Sequence, residues 1–333
     1  MHVEKVAGID VAFKTLALAI RAGEKTGKVR EFANTASGHQ ALIRVLKSAG
    51  AERVCLEATG SYHLDLALAL DDAGVALMVV NPKAAKHFAV ALMTRTKSDA
   101  VDAGMLAQFA QTMPFQPWQR PDAPALGLRA CARRLAALIK ARTQAKNQLH
   151  AASQTTSTPE IVLADLRLSI AQCDEQITQL RTGACALIAA DVQLTEVFTL
   201  LNTVKGIAAA SAIQIMGEIL VLPADMQAKQ WVAMAGLDPR HATSGSSVNQ
   251  KPHLSKAGNR YLRLALYMPA LSAARHEPNV KGYYNHLIEA RGLKPIQAVC
   301  AVMRKLLHAI HGMLKARQPF DGSRFYALVE VPA

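Results

Sequence analysis

Apolar positions along this chain follow two rhythms, a period of two in short runs and a period near 3.6 in long ones. Residues 6–11 (VAGIDV), 15–20 (TLALAI) and 29–33 read as strands, and their closeness predicts an antiparallel meander. Residues 38–49 carry Leu42, Val45 and Leu46 at helical spacing, and 53–57 (RVCLE) make a short buried strand ending in an acid. A leucine-rich helix is expected over 62–73, a strand over 75–80 stopped by Asn81-Pro82, and helices at about 84–93 and 98–112. Three strands, a helix, then alternating strands and helices predict an α/β domain with a mixed sheet over 1–119.

After Pro114, Pro117, Pro121 and Pro124 the rhythm changes. Residues 126–150 form one helical pattern with Leu128, Cys131, Leu135, Leu138 and Leu149 on its apolar stripe and Arg129, Arg133, Arg134, Lys140, Arg142 and Lys146 between them. The turn SQTTSTPE interrupts it, and a second stripe over 160–181 runs through Leu163, Leu166, Ile170, Cys173, Ile177 and Leu180. Two such helices predict a coiled-coil hairpin over 120–190, either packed in a core or extended towards a partner. A mainly α-helical third domain is expected over 191–333. Inside it, LNTVKGIA at 201–208 opens a helix over 209–220; a one-glycine hairpin of this kind either offers a helix amino end to phosphate or is plain packing.

Charge sharpens the picture. The net charge of +13 is unevenly spread: +2 over 1–119, +4 over 120–190 and +7 over 191–333. A basic excess of that size suits a polyanionic partner such as nucleic acid. At 51% hydrophobic and 19% charged, the chain is not of disordered composition. Five scattered cysteines without a C-x-x-C pair argue against a zinc ribbon or a disulfide framework and suit a reducing, cytoplasmic setting. The amino terminus lacks the apolar core of a secretory signal, and no apolar run approaches the roughly 20 residues a membrane helix needs, so no membrane partner is expected.

Two constellations carry candidate chemistry. Asp10 lies in the first strand, Glu57 ends a later one, and Asp99 and Asp102 open a helix three residues apart, hence on one face. Four converging carboxylates repel unless a cation bridges them; a set of oxygen donors without His or Cys suits Mg²⁺, and a pair of such ions suits phosphodiester chemistry. The bland reading of Asp99 and Asp102 is a solvated first helical turn. The second constellation is RHATSGSSVNQK at 240–251, a hydroxyl cluster in a stretch, 240–263, with five cations (Arg240, Lys251, Lys256, Arg260, Arg263) and no acid. Those cations suit a phosphate backbone, as do Arg95 and Lys97 just before the Asp pair. The bland alternative is a polar linker. Residue chemistry alone does not choose among Ser244, Ser246 and Ser247 as a nucleophile.

GID at 8–10, CLEATGSY at 55–62, NPK at 81–83 and RTKSDAVDAGMLA at 95–107, followed by AGLDPR at 235–240, SGSSV at 244–248 and LSKAGNRYLRLALYMPAL at 254–271, resemble the insertion-sequence transposases that combine an Asp-Glu-Asp-Asp motif with a catalytic serine. The resemblance implies a RuvC-like, RNase H-like first domain in which Asp10, Glu57, Asp99 and Asp102 bind Mg²⁺, two ions per active site. It implies Ser244 as nucleophile in a transposase domain, forming a phosphoserine link to DNA. It further implies a structured bridge RNA that selects donor and target DNA, and a homo-oligomer, a dimer of dimers, whose active site joins the acidic domain of one subunit to the serine domain of another. A bacterial protein of the cytoplasm, at the nucleoid when active, follows from the same likeness. A DNA invertase of the same fold with protein-read sites fits the same motifs. An actin-like sugar or acetate kinase also starts with Gly-x-Asp but needs glycine-rich phosphate loops, of which DAG at 72–74 and 102–104 are poor copies. A non-catalytic nucleic-acid scaffold would leave the acids without a role.

Overall fold

The computed structural model describes residues 5–58, 60–93, 96, 98–244 and 248–328, with the side chains of 241–244 and 248–251 outside the description. The chain divides into two compact units, Met1–Arg120 and Pro121–Ala333.

The first unit opens with β1 (Lys5–Val11), β2 (Thr15–Ala22), β3 (Lys25–Thr26) and β4 (Arg30–Ala33). It continues with α1 (Ala36–Ala49), β5 (Arg53–Glu57), α2 (Leu64–Asp72), β6 (Leu77–Val80), α3 (Pro82–Ala91) and α4 (Asp99–Thr112). Strand order is β3-β2-β1-β5-β6, with β4 also on β2. β1 pairs antiparallel with β2 and parallel with β5, and β5 is parallel to β6. An antiparallel meander followed by parallel strands is the expected RNase H-like mixed sheet; the third meander strand is split into two short pieces.

Alternation along the strands sorts the core. Ala7, Ile9, Val11, Leu16, Leu18, Val54 and Leu56 face α1 and α2, where Leu42, Leu46, Leu66 and Leu70 meet them. Val6, Cys55, Met78 and Val80 face the other way, against Ala85 of α3 and Met105, Leu106 and Phe109 of α4. Asp10 and Glu57 fall on this second face by the same period of two. Gly8 decides how close α4 comes: a Cβ there would lie 2.2 Å from both the Ala103 carbonyl oxygen and the Ala107 nitrogen. Ser98 caps the helix, its Oγ accepting from the Val101 N–H at 3.3 Å.

The second unit begins with α5 (Ala123–Ala152) and α6 (Glu160–Ala189), 30 residues each and about 45 Å long. The second helix outruns the expected end at 181. Gly183 costs about 1 kcal/mol inside a helix, but the stripe continues through Ala184 and Ile188, both buried. α7 (Val192–Asn202), α8 (Ala209–Ile219), α9 (Ala228–Met234), β7 (Pro239–Ser244), β8 (Val248–Leu254), α10 (Arg260–His276), α11 (Pro278–Glu289), α12 (Pro295–Ala316) and α13 (Gly322–Phe325) follow. One core joins Leu128, Ala132 and Leu135 of α5 to Ile213 and Met216 of α8, Leu262 and Leu266 of α10, and Val302 and Leu306 of α12. Gly217 admits Ala132 of α5, where a Cβ would sit 2.6 Å away. Gly206, at φ 110°, turns the 201–208 hairpin against Pro269 and Ala273 of α10, so its glycine is engaged in packing. No single helix among the described residues is long and apolar enough to cross a membrane.

Candidate active site

At the carboxyl end of β1 and β5, parallel register pairs Ile9 with Leu56, so Asp10 and Glu57 come next on adjacent strands and the same face. Across from them, Ala103, Leu106, Ala107 and Ala110 form the sheet-facing stripe of α4. Asp99 and Asp102 lie one turn ahead on that stripe, four residues before Ala103 and Leu106. The electrostatics agree with this placement. The Asp10 carboxyl is pushed up to about 6, first by burial, then by Asp102, Asp99 and Glu57, against a lowering hydrogen bond from the Val11 backbone. Four carboxylates therefore share one field, and a divalent cation with a taste for oxygen would relieve it. Among the described residues no three His, Cys, Asp or Glu side chains are already gathered closely enough to hold a metal ion. The thiol of Cys55, two residues before Glu57, is pushed up to about 12 by burial and takes no part in this chemistry. Arg95 and Lys97 lie outside the described residues.

The serine segment stands in the second unit on a two-stranded ribbon, β7 and β8, rather than on a polar linker. Ser244 ends β7 and pairs with Val248 of β8; Ser246 and Ser247 lie outside the described residues. The ribbon base is tightly clamped. Ser255 Oγ donates to Asp238 Oδ1 at 2.6 Å, the Lys256 N–H to Gly236 O at 3.1 Å, and the Asn259 N–H to Met234 O at 2.6 Å. Gly236 and Gly258, at φ 63° and 114°, allow this contact: a Cβ would come within 2.5 Å of Ala257 O and 2.2 Å of Met234 O respectively. The motifs AGLDPR and LSKAGNR are thus two halves of one clamp beneath Ser244.

Arg240, Lys256 and Arg260 are exposed, while the Lys251 side chain lies outside the description. Arg263 is half-buried and donates through Nη1 to the Ala235 carbonyl at 2.8 Å, adding to the clamp.

Sequence reasoning missed Glu218 of α8, only 1% exposed. Arg133 grips it with two bonds, Nε to Oε1 at 2.8 Å and Nη2 to Oε2 at 3.1 Å. Asn259 Nδ2 donates to Oε2 at 2.6 Å while its Oδ1 caps α10 by accepting from the Tyr261 and Leu262 N–H groups. Arg133 and Arg260 both lie against the Tyr261 ring, 4.7 and 5.0 Å from its centroid. An acid in the middle of an apolar helix, ASAIQIMGEIL, was the available signal.

Comparison with known proteins agrees with both halves. Residues 7–157 match a family described as transposase, and residues 198–285 match the transposase IS116/IS110/IS902 family. A pilin gene-inverting protein of Moraxella bovis is 27% identical over 319 residues, 94% of this chain and 97% of that protein. Its counterpart in Moraxella lacunata is 29% identical over 80% of this chain and 81% of its own length. An insertion element IS110 protein of Streptomyces coelicolor is 29% identical over 54% of this chain and 42% of its own. The solved structure of Thermus thermophilus RuvC with Holliday junction substrate matches 34% of this chain and 99% of its own at 21% identity, with a TM-score of 0.29, too loose to add to the strand order above. The two family matches lie in order and together take in most of the chain, which therefore carries transposase domains of the IS110 kind in both of its halves.

Proposed function

We propose that the chain is the recombinase of an insertion sequence, cutting DNA through Asp10, Glu57, Asp99 and Asp102 in the first unit and Ser244 in the second. The observation that carries this reading is the gathering of the four acids at one sheet edge, where burial first, and then Asp102, Asp99 and Glu57, push the Asp10 carboxyl up to about 6. Those four side chains would hold two Mg²⁺, which when bound supply charge neutralisation at the scissile phosphate and activation of the attacking hydroxyl. Ser244 Oγ then bonds to phosphorus as the bond from phosphorus to one deoxyribose oxygen breaks, that oxygen leaving as a hydroxyl. Attack by a hydroxyl of another strand reverses the step, so bond energy is conserved through the phosphoserine link. Arg240, Lys251, Lys256 and Arg260, with Arg95 and Lys97, would hold the DNA backbone, and Arg263 would keep the clamp beneath the serine closed.

In the same reading a structured bridge RNA selects donor and target DNA. The working assembly is a dimer of dimers at the bacterial nucleoid, pairing the acids of one subunit with the serine of another. Ser244→Ala should abolish a covalent protein–DNA adduct trapped on a nicked target; adduct at wild-type level would place the nucleophile elsewhere.

A second reading is a DNA invertase with protein-read sites. The likeness to two proteins named as pilin gene-inverting, over 94% and 80% of this chain, favours it. Ribonuclease treatment decides between them: recombination that survives removal of all co-purifying RNA supports the invertase, and recombination restored only by adding that RNA back supports the guided transposase.

A further inference from the structure

The end of the sheet that carries the acids has a second feature, which the cutting chemistry does not use. The loops leaving β1 and β5 bear Phe13, three residues after Asp10, and Tyr62, five after Glu57. Loops at the carboxyl ends of parallel strands are where α/β sheets bind ligands. The two rings touch, with centroids 5.4 Å apart at 58°, yet Phe13 is 66% and Tyr62 47% exposed. Aromatics make up 5% of this chain, and two in mutual contact standing in solvent form a surface built to meet something flat and apolar. Three residues of chain reach at most about 11 Å, so Phe13 stays close to any phosphate at Asp10.

The pair is held in place by an amide. Asn34, just past β4, donates through Nδ2 to the carbonyls of Ala12 at 2.9 Å and Tyr62 at 3.2 Å, tying the two aromatic-bearing loops together. Its Oδ1 lies 2.7 Å from Nε2 of His39. An amide oxygen only accepts, so His39 is the tautomer with its proton on Nε2. His39 is buried, and burial holds its pKa below the ordinary value, with Asp65 opposing. Beside the rings a cleft of about 600 Å³ opens towards α1 and α2, bordered by Asn34, His39, Gln40 and Asp65. Its size is that of a small-molecule site, and its rim offers amide and carboxylate groups to the edge of a heterocycle.

We propose that Phe13 and Tyr62 are a stacking platform for one unpaired base of the DNA strand whose phosphate meets the acidic edge, with Asn34 and His39 as positioning residues. This deepens, and rests on, the reading of that edge as the cutting site. A strand crossing the end of the sheet lays its phosphate on the α4 side and tips the neighbouring base onto the rings. Stacking of this kind tolerates any sequence, since every base has a π face.

The test uses the full-length protein in EDTA, so that nothing is cut, with a DNA flap carrying one unpaired 2-aminopurine, whose fluorescence falls on stacking. Wild type should quench it. Phe13→Leu with Tyr62→Leu should abolish the quench and weaken flap binding about tenfold per ring, leaving fully paired duplex unaffected. Tyr62→Phe, which keeps the ring, should keep the quench, and Asn34→Ala should reduce it with both rings intact. Both rings stand in solvent, so leucine there removes no core contact, and circular dichroism checks the fold. Asp102→Asn, assayed with Mg²⁺ for cutting and in EDTA for quench, separates the two claims: it should lose the first and keep the second. An undiminished quench in the double-leucine protein, or equal weakening on paired duplex, overturns the platform. Cutting that persists in Asp102→Asn overturns the acidic edge instead.

Discussion

Asp10 is where burial and charge act on one atom group, and its titration is the sharpest readout of the site. Its raised pKa means that the folded, metal-free protein holds a proton between pH 3.8 and about 6 that the unfolded chain has released. Stability from this group is therefore full below about pH 4 and declines as pH rises through 6. Asp102→Asn removes the foremost neighbouring charge. It should bring the Asp10 titration down by carboxyl NMR and make the protein more resistant to urea at pH 7, while lowering Mg²⁺-dependent cutting at least about 100-fold, the upper end for disturbing even a metal's outer shell. A more stable protein that cannot cut is the signature of a functional carboxylate cluster; a solvated helix turn would show neither change. Glu218 is the opposite case, a buried acid met by a two-bonded arginine and an asparagine amide. Glu218→Gln strands Arg133, and Arg129 whose Nε lies 3.8 Å from Oε2, beside a neutral amide and should destabilise the fold by about 3 kcal/mol, measured by urea denaturation. Replacing Glu218 and Arg133 together with methionine should recover most of that loss.

Between neighbouring elements, the contact of α4 with β1 sets the acidic edge. Gly8→Ala would press a methyl into the α4 backbone at Ala103 and Ala107. It should cost about 1–3 kcal/mol of stability and, by moving Asp99 and Asp102 away from Asp10, reduce cutting far beyond what the lost stability explains. Cutting and urea midpoints measured on the same variant distinguish the two effects. Ser98→Ala should cost about 1 kcal/mol by uncapping the same helix. The sheet and both long helices were legible because each repeats a period over many residues. The β7–β8 ribbon was not. PRHATS and VNQKPHL lack alternating apolar positions, and their pairing is imposed by the clamp at 234–238 and 255–259.

For the chain taken entire, charge and partner choice are the matter. The excess of +13 grows towards the carboxyl end, where the serine ribbon stands. Neutralising Arg260 should weaken DNA binding and flatten the slope of log affinity against log salt by about 0.9, the share of one phosphate contact. Arg263→Ala should instead lower stability, because its guanidinium holds the Ala235 carbonyl.

Order of strands and helices in the first unit, the two long helices after it, the rise of basic charge along the chain and the likeness to insertion-sequence transposases were readable from the linear chain, because periodicity, charge and motif spacing are properties of neighbours in sequence. That Gly8 lets a helix backbone touch a strand, that Asn34 ties two loops into an aromatic platform, and that Glu218 anchors the start of α10 are contacts between residues 22 to 99 positions apart. No local rule encodes a meeting of that range; it exists only once the core has packed and brought those backbones to within a bond's length of each other.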